Sequence, residues 1–394
     1  MKPTSNADVV IIGGAAVGSA VAYFLATHPC FTGRVVLLEQ DPSYARCATA
    51  LSLASIRHQF STPENIRMSM FGTAFLRAAA EHLQVQGEAP AIGFREAGYL
   101  FLASAVGLPV LLANHQVQRS LGADVALLQP AELASRFPWL AIDDLAAASL
   151  GLSGEGWLDA HALMHGLRRK AQSLGVEVRH AQAVGLTVVG SRVTEVHLAD
   201  GEHLGCGWVV NAAGTAAAQV ARWAGIELAV QPRKRCVFHF RSPVELPACP
   251  LVVDPSGLYF RPEGQGFVCG AAPPEDEDPI SHDFEVDWPM WQERLWPALA
   301  LRVPGFASAR LLSAWAGHYD VHQLDHNAIL GAHPQLDNLL FGNGFSGHGL
   351  QQSPAVGRAL AELIVDGSYQ TLDLAALGWA RVLRGEPLRE LNVV

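Results

Sequence analysis

Basic residues are scarce in this chain. Lysine and arginine number 27 against 37 aspartates and glutamates, a net charge of −10, and they form no long run. Nucleic acid and anionic membrane surfaces, which select clustered positive charge, are therefore not expected partners. Cysteine is sparse and scattered. Cys30, Cys47, Cys206, Cys236, Cys249 and Cys269 make no C-x-x-C pair, which suits a reducing, cytoplasmic compartment better than a disulfide framework. No basic region precedes the first apolar run, so no secretory signal is expected. The Gly-Gly break after Ile12 turns residues 9–26 away from a membrane span. There is no low-complexity segment and no internal repeat. Charged residues make up only 16% of the 394 residues and apolar ones half. Such a chain can bury one large core or two smaller ones, and wholesale disorder is not expected.

What is present begins with "DVVIIGGAAVGSA" at residues 8–20. An apolar run breaks into small residues and resumes as "AVAYFLATH", the pattern of a buried strand, a tight turn and a helix. A dinucleotide-binding turn reads G-x-G-x-x-G. Gly13 and Gly18 stand in place, but Ala15 holds the middle position. A methyl group there costs roughly 1–2 kcal/mol if the residue needs positive φ, and little otherwise. The next apolar run, "GRVVLLEQD", ends in Glu39, 21 residues past Gly18. That is near the spacing of a carboxylate that grips a ribose hydroxyl, and an acid there disfavours the 2′-phosphate of NADP. The competing reading is an ordinary βαβ unit with a small-residue turn.

Farther along, a loop runs from Asp41 to about Ser61. "TPENIRMSMFGTAFLRAAAEHL" reads as a helix with Thr62 at its cap and Pro63 first. "FREAGYLFLAS" alternates like a strand. Residues 105–137 look helical with a break around 122–129. "GWLDAHALMHGLRRKAQSLG" is a further helix capped by Asp159. Short strands are expected at 176–179, 183–189 and 192–199. "HLGCGWVVNAAGTAAAQVARWAG" is a second strand ending in small residues before a helix, again a close approach of backbone to something. From 230 to 330 the chain turns β-rich, and "PPEDEDPISHDFEVDWP" reads as a solvated loop. The end, "NLLFGNGFSGHGLQQSPAVGRALAELIVDG", is strand, glycine-rich turn and long helix. The fold class is α/β: a discontinuous nucleotide domain from 1–85, 150–229 and 328–394, interleaved with a β-sheet-rich domain from 86–149 and 230–327.

Four of these segments, in this order, resemble the FAD-dependent amino-acid oxidase superfamily: "VVIIGGAAVGSA", "VVLLEQ", "VVNAAGTAAAQVA" and "NGFSGHGLQQSPAVGRALAEL". That group includes D-amino acid, glycine and sarcosine oxidases and dimethylglycine dehydrogenase. "SIRHQFSTPENIRMS" and "AWAGHYDVHQLDHNAILGAHP" look nearest to the branch of FAD-dependent oxidoreductase domain-containing proteins, and "QPRKRCVFHF" also looks like D-arginine dehydrogenase. The resemblance spans nearly the whole chain and implies FAD as cofactor, held without a covalent link. Where sarcosine oxidase has its attachment cysteine this chain has Gly317, and the attachment histidine expected near Leu51 is absent; Cys47 lies close. It also implies positions for the cofactor. Gly13, Ala15, Ala16, Val17 and Gly18 face the pyrophosphate, and Glu39 with Gln40 meets the adenosine ribose. Thr49, Leu51 and Ser52 pass along the flavin, and Ala183 meets the adenine edge. Ala213 and Gly214 approach the pyrophosphate from below. Gly344, Gly347, His348, Gly349, Leu350 and Gln351 cover the pyrimidine edge, where a helix start offers free N–H groups.

For the chemistry, the resemblance points to Arg57, Tyr259, His318 and Tyr319. Arg57 follows the flavin-side loop, where sarcosine oxidases place a carboxylate-binding arginine. Tyr259 stands where relatives place a tyrosine over the substrate. Tyr319 replaces the carboxylate arginine of glycine oxidase and D-arginine dehydrogenase, which puts a D-amino acid substrate in doubt. His58, His239, His318 and His348 are candidate bases, and Arg233 and Arg235 face either the site or solvent. Val268 stands where sarcosine oxidases carry an oxygen-activating lysine, so a quinone or an electron-transfer protein is favoured over oxygen as acceptor. "HYDVHQLDH" packs His318, Asp320, His322, Asp325 and His326 into nine residues, yet the resemblance makes it a strand leading to the flavin, and no metal is expected. His161 and His165 at i, i+4 lack the glutamate of H-E-x-x-H. The expected reaction is oxidation of a C–N bond in an amino acid or N-substituted amino acid by hydride transfer to flavin N5, the imine then hydrolysing. The alternatives are a 2-hydroxy-acid dehydrogenase on the same fold and a non-catalytic flavoprotein assembly factor.

Overall fold

The computed structural model of the protein describes residues 5–274 and 277–391, and among these two eight-stranded sheets stand out. The first contains, side by side, Ile329–Ala332, Leu339–Asn343, His203–Asn211, Ser5–Ile12, Val35–Glu39 and Glu177–His180. All these neighbours are parallel except the first pair. Ala183–Val189 and Arg192–Leu198 fold back on His203–Asn211 as an antiparallel meander. Val9–Ile11 and Val35–Leu38 are buried on both faces, which is why they read as unbroken apolar runs rather than alternating ones. Helices Ala16–Thr27, Ala160–Ser173 and Gly349–Val365 cover one face. A Cβ at Gly357 would lie 2.6 Å from the Ala20 backbone, so this glycine lets the last helix press against the first.

The second sheet runs Arg310–His322, Val230–Arg241, Gly266–Ala271, Leu258–Glu263, Leu251–Val253, Tyr99–Ala103, Ala147–Gly151 and Val125–Leu128. Only Leu251–Val253 and Tyr99–Ala103 pair parallel. Its two faces differ sharply. Cys236, Phe238, Phe240, Phe260, Phe267 and Cys269 point into a core under helix Trp296–Arg302. Tyr259 points the other way, with Tyr99, Phe101 and Trp157. Antiparallel partners share a face, so Val268, opposite Arg261, lies on the tyrosine side.

Several local expectations are corrected. The break at 122–129 is a strand, Val125–Leu128, that joins the second sheet. The helix expected to run from Pro63 through the "AEHL" segment divides at Ala78 into Pro63–Arg77 and Ala79–Leu83. Thr62 sits at the cap but makes no capping bond; its hydroxyl donates to Glu390 Oε2 at 3.0 Å. Tyr99–Ala103 is buried throughout instead of alternating, because both its faces are packed. Asp159 does cap its helix, accepting from Ala162 N at 2.9 Å. All six cysteines are free thiols, and no described helix is long and apolar enough to cross a membrane.

Candidate dinucleotide and substrate site

A cavity of about 340 Å³ opens beyond the carboxyl ends of Ser5–Ile12, Val35–Glu39 and His203–Asn211, the usual ligand position in an open parallel sheet. Backbone conformation explains the small residues there. Gly13 has φ +103°, and a Cβ on it would fall 2.3 Å from Ala212 O. A Cβ on Gly18 would fall 1.9 Å from Gly13 O, so this glycine seats the helix on the turn. Ala15 has φ −72° and ψ −161°, an ordinary extended residue, and its methyl group carries no backbone strain. The helix that follows has no side-chain cap, and its first N–H groups and positive end face the cavity, an arrangement suited to a pyrophosphate. At the other end Glu39 Oε2 accepts from Gly14 N and Oε1 from Asp41 N, both at 2.9 Å. Each oxygen keeps acceptor capacity for a hydroxyl. Thr49 Oγ1 accepts from Ala16 N at 3.3 Å and ties the loop after Asp41 to the helix start. Gly13, Ala15, Ala16, Val17, Glu39, Gln40, Thr49, Ser52, Ala183, Ala213 and Gly214 all line this cavity. The glycine turn, the uncapped helix start and the acid together fit FAD.

A smaller cavity of about 70 Å³ shares Ser52, Tyr319, Gly347 and Leu350 with the first. Arg57, Tyr259, His348 and Gln351 line it, with Tyr99 and Leu251. Arg57 is only 2% exposed. One guanidinium nitrogen donates to Gln59 O at 2.9 Å and the other meets His348 Nε2 at 3.0 Å. The guanidinium also lies 4.2 Å from the Phe60 ring centre. Burial, then the Arg57 charge, pushes His348 well below the usual histidine range. His348 is thus neutral, and since Arg57 can only donate, Nε2 is the acceptor and the proton sits on Nδ1. Burial raises the Tyr99, Tyr259 and Tyr319 phenols, Tyr99 to about 12, so all three stay protonated and can donate.

The glycine-rich turn between Leu339–Asn343 and Gly349–Val365 sits where the cavities join. Asp320 Oδ2 accepts from Gly344 N at 2.8 Å, and Ser346 N donates to Asp320 O at 3.1 Å. Burial raises the Asp320 carboxyl to about 6. Gly347, at φ +100°, would bring a Cβ within 2.5 Å of the Tyr319 ring, so the missing side chain makes room for that ring. The long helix starts without a side-chain cap, leaving early N–H groups directed at the junction.

Not every expected residue lies on these walls. Gly18, Leu51 and Gly344 shape the backbone behind them and line neither cavity. Leu51 packs against Gly317, where a Cβ would come within 2.9 Å of it. His318 lines only the larger cavity, edge-on to Phe284 at 4.5 Å; it does not reach the Arg57 cavity. Arg235 lies 5.2 Å from the Tyr319 ring and pairs with Asp278 at 2.7 Å. Within "HYDVHQLDH", His322 Nδ1 and Arg381 hold Asp325 at 2.9 and 2.7 Å while Asp320 serves the glycine turn, so the two carboxylates are engaged in different bonds. His161 and His165 pair with each other at 3.1 Å. Sequence reasoning missed Tyr99, hidden in an apolar strand, and Glu155. Glu155 is wholly buried; it accepts from Gln59 N at 3.1 Å, from His58 N at 2.5 Å and from Gln59 Nε2 at 2.8 Å. It therefore fixes the segment that carries Arg57.

The comparisons with known proteins agree with this geometry. The profile of the family described as "DAO: FAD dependent oxidoreductase" matches residues 8–363. FAD-dependent oxidoreductase domain-containing protein 1 of Xenopus laevis is 43% identical over 428 aligned positions, covering 100% of this chain and 86% of that protein. Glycine oxidase from Geobacillus kaustophilus superposes with TM-score 0.82 at 25% identity, covering 96% of this chain and 99% of that one. L-proline dehydrogenase from P. horikoshii superposes with TM-score 0.86 at 24% identity, covering 98% and 100%, a likeness of fold. The chain belongs to the DAO family of FAD-dependent oxidoreductases.

Proposed function

We propose that this enzyme oxidises the C–N bond of a small amino acid or N-substituted amino acid. The observation that carries this reading is Arg57: a buried guanidinium in a small tyrosine-walled cavity that opens into the dinucleotide cavity. A buried arginine aimed into a small cavity is suited to a carboxylate. Glycine oxidase, an amino-acid enzyme by name, shares the fold at 25% identity. The two-domain division expected from the sequence, with the substrate region on the second sheet, belongs to the same reading.

Gly13, Ala15, Ala16, Val17 and Gly214 would hold the pyrophosphate, Glu39 the ribose, and the Gly344–Gln351 turn the pyrimidine edge. Bound FAD supplies the hydride acceptor. Arg57 fixes the substrate carboxylate and so orients the carbon that loses hydride. Tyr259 donates to or accepts from the amine. Tyr99, Tyr319 and Leu251 exclude water and favour the neutral amine by lowering local polarity. His348 stays neutral, leaves Arg57 as the cation of the small cavity, and keeps its Nε2 occupied. FAD would be held without a covalent bond: Gly317, where sarcosine oxidase has its attachment cysteine, carries no side chain, and a Cβ there would come within 2.9 Å of Leu51. Val268 offers no charge to nascent superoxide, which favours a quinone or an electron-transfer protein as acceptor. The test is anaerobic bleaching of the flavin absorbance across D-, L-, N-methyl and cyclic amino acids, with 2-hydroxy acids alongside. Rapid bleaching by an amino acid supports the proposal; bleaching by hydroxy acids alone, or by nothing, rejects it.

A further inference from the structure

We propose a divalent transition-metal site on the outer face of the meander, formed by Glu195, His197 and His203. The hairpin geometry creates it. Glu195 and His197 are two apart on one strand and share a face. His203 stands directly opposite His197 across the turn, and Thr187 directly opposite Glu195 on the third strand. The four side chains therefore converge, although the segment "TEVHLADGEH" carries no familiar metal spacing. One ligand atom from each of Glu195, His197 and His203 lies within 4.8 Å of the others. His203 Nδ1 is 3.4 Å and His197 Nε2 3.9 Å from the same oxygen, Glu195 Oε2. A tetrahedral centre with bonds near 2.0–2.1 Å sets its ligand atoms roughly 3.3 Å apart, so small side-chain rotations close the site.

The surroundings favour a cation. Glu195 makes its ion-pair contacts with these two histidines, so one carboxylate already lies within reach of a nitrogen of each ring. The rings of His197 and His203 stack 4.2 Å apart at 13°, which holds both imidazoles on one face beside Glu195. Thr187 Oγ1 donates to Glu195 Oε2 at 3.1 Å and meets His197 Nε2 at 2.6 Å. It holds both side chains on one face; since its one proton goes to Glu195, the 2.6 Å contact is an Nε2–H donating to Oγ1, and a metal at Nε2 displaces that proton and that bond. Two nitrogens and one carboxylate oxygen select the Zn²⁺ or Cu²⁺ class over Mg²⁺ or Ca²⁺, with water completing the sphere.

The site is separate from the flavin chemistry, so its test needs no substrate. Chelator-stripped, FAD-loaded protein is titrated with Zn²⁺ alone by calorimetry. One equivalent is expected to bind with Glu195 and His203 intact. Glu195→Gln and His203→Ala each should lose that binding, and Thr187→Val, which removes the hydroxyl competing for His197 Nε2, should retain it. Unchanged flavin spectra certify that these surface variants are folded. The competing pair is His161 and His165, so His161→Ala should leave the equivalent in place. No binding by the parent protein, binding that survives Glu195→Gln and His203→Ala, or loss only in His161→Ala would each overturn the assignment.

Discussion

At Ala15 one methyl group stands where a dinucleotide turn commonly has glycine, and the backbone shows why it is harmless. Its φ of −72° is open to any residue, whereas Gly13 at +103° is pinned against Ala212 O. Two variants separate these cases by FAD titration. Ala15→Gly should leave FAD affinity within a few-fold and cost at most about 1 kcal/mol of stability. Gly13→Ala adds backbone strain of roughly 1–2 kcal/mol to a direct clash and should yield protein largely free of FAD. The turn was legible in the sequence because both required glycines meet backbone that any such βαβ unit would supply. Glu155 was not, because its partners Gln59 and His58 lie 96 and 97 residues away and no local pattern marks it.

Elements show where a buried charge has been placed to hold a loop. Glu155 anchors the segment 57–59, and burial raises its carboxyl to about 7 from an ordinary value near 4.3. With a folded pKa above the unfolded one, the native state holds a proton that the unfolded chain has lost between those values. This group's stabilising contribution is therefore full below about pH 4.3 and is lost as pH rises toward 7. Urea midpoints at pH 5.5 and 8 should fall more steeply with pH in the parent than in Glu155→Gln; equal slopes would assign the titration elsewhere. Asp320 does similar work for the glycine-rich turn. Asp320→Ala removes the acceptor of the Gly344 N–H, and leaving such a donor unpaired costs about 1–3 kcal/mol. Weaker FAD retention on dialysis is the expected result. The sequence placed Asp320 on the strand to the flavin but also beside four other candidate ligands. Only the strand's alternation and the position of Arg381, some 56 residues on, separate those side chains. The strand Val125–Leu128 was hidden for a related reason: it completes the second sheet through Ala147–Gly151, a partner that follows it in the chain.

For the whole molecule, the arrangement is a mostly parallel sheet with the larger cavity at its carboxyl ends and a mixed sheet whose Tyr99, Tyr259 and Tyr319 line the smaller one. The family, the cofactor and the interleaving of chain segments were readable because the motifs sit at strand ends in fixed order. The proposed substrate cavity was readable only in part: Arg57, just after the short strand Ser55–Ile56, and Tyr259, on the second sheet, both line it, while Tyr99 and Leu251 come from strands with no polar signal. Arg261, paired with Val268 across adjacent strands, is a buried cation on that face. Its guanidinium is bound to Glu263 and to Leu53 O, so it offers little free charge to oxygen. Photoreduced protein mixed with air-saturated buffer should reoxidise slowly, and dyes or quinones should accept electrons faster. The most direct test of the account is anaerobic stopped-flow reduction of parent and Arg57→Ala by the amino acid that bleaches the flavin. Losing the partner of a buried carboxylate costs on the order of 2–5 kcal/mol, so the apparent Kd should rise at least about thirtyfold. An unchanged Kd in Arg57→Ala would contradict the claim that this arginine grips the substrate.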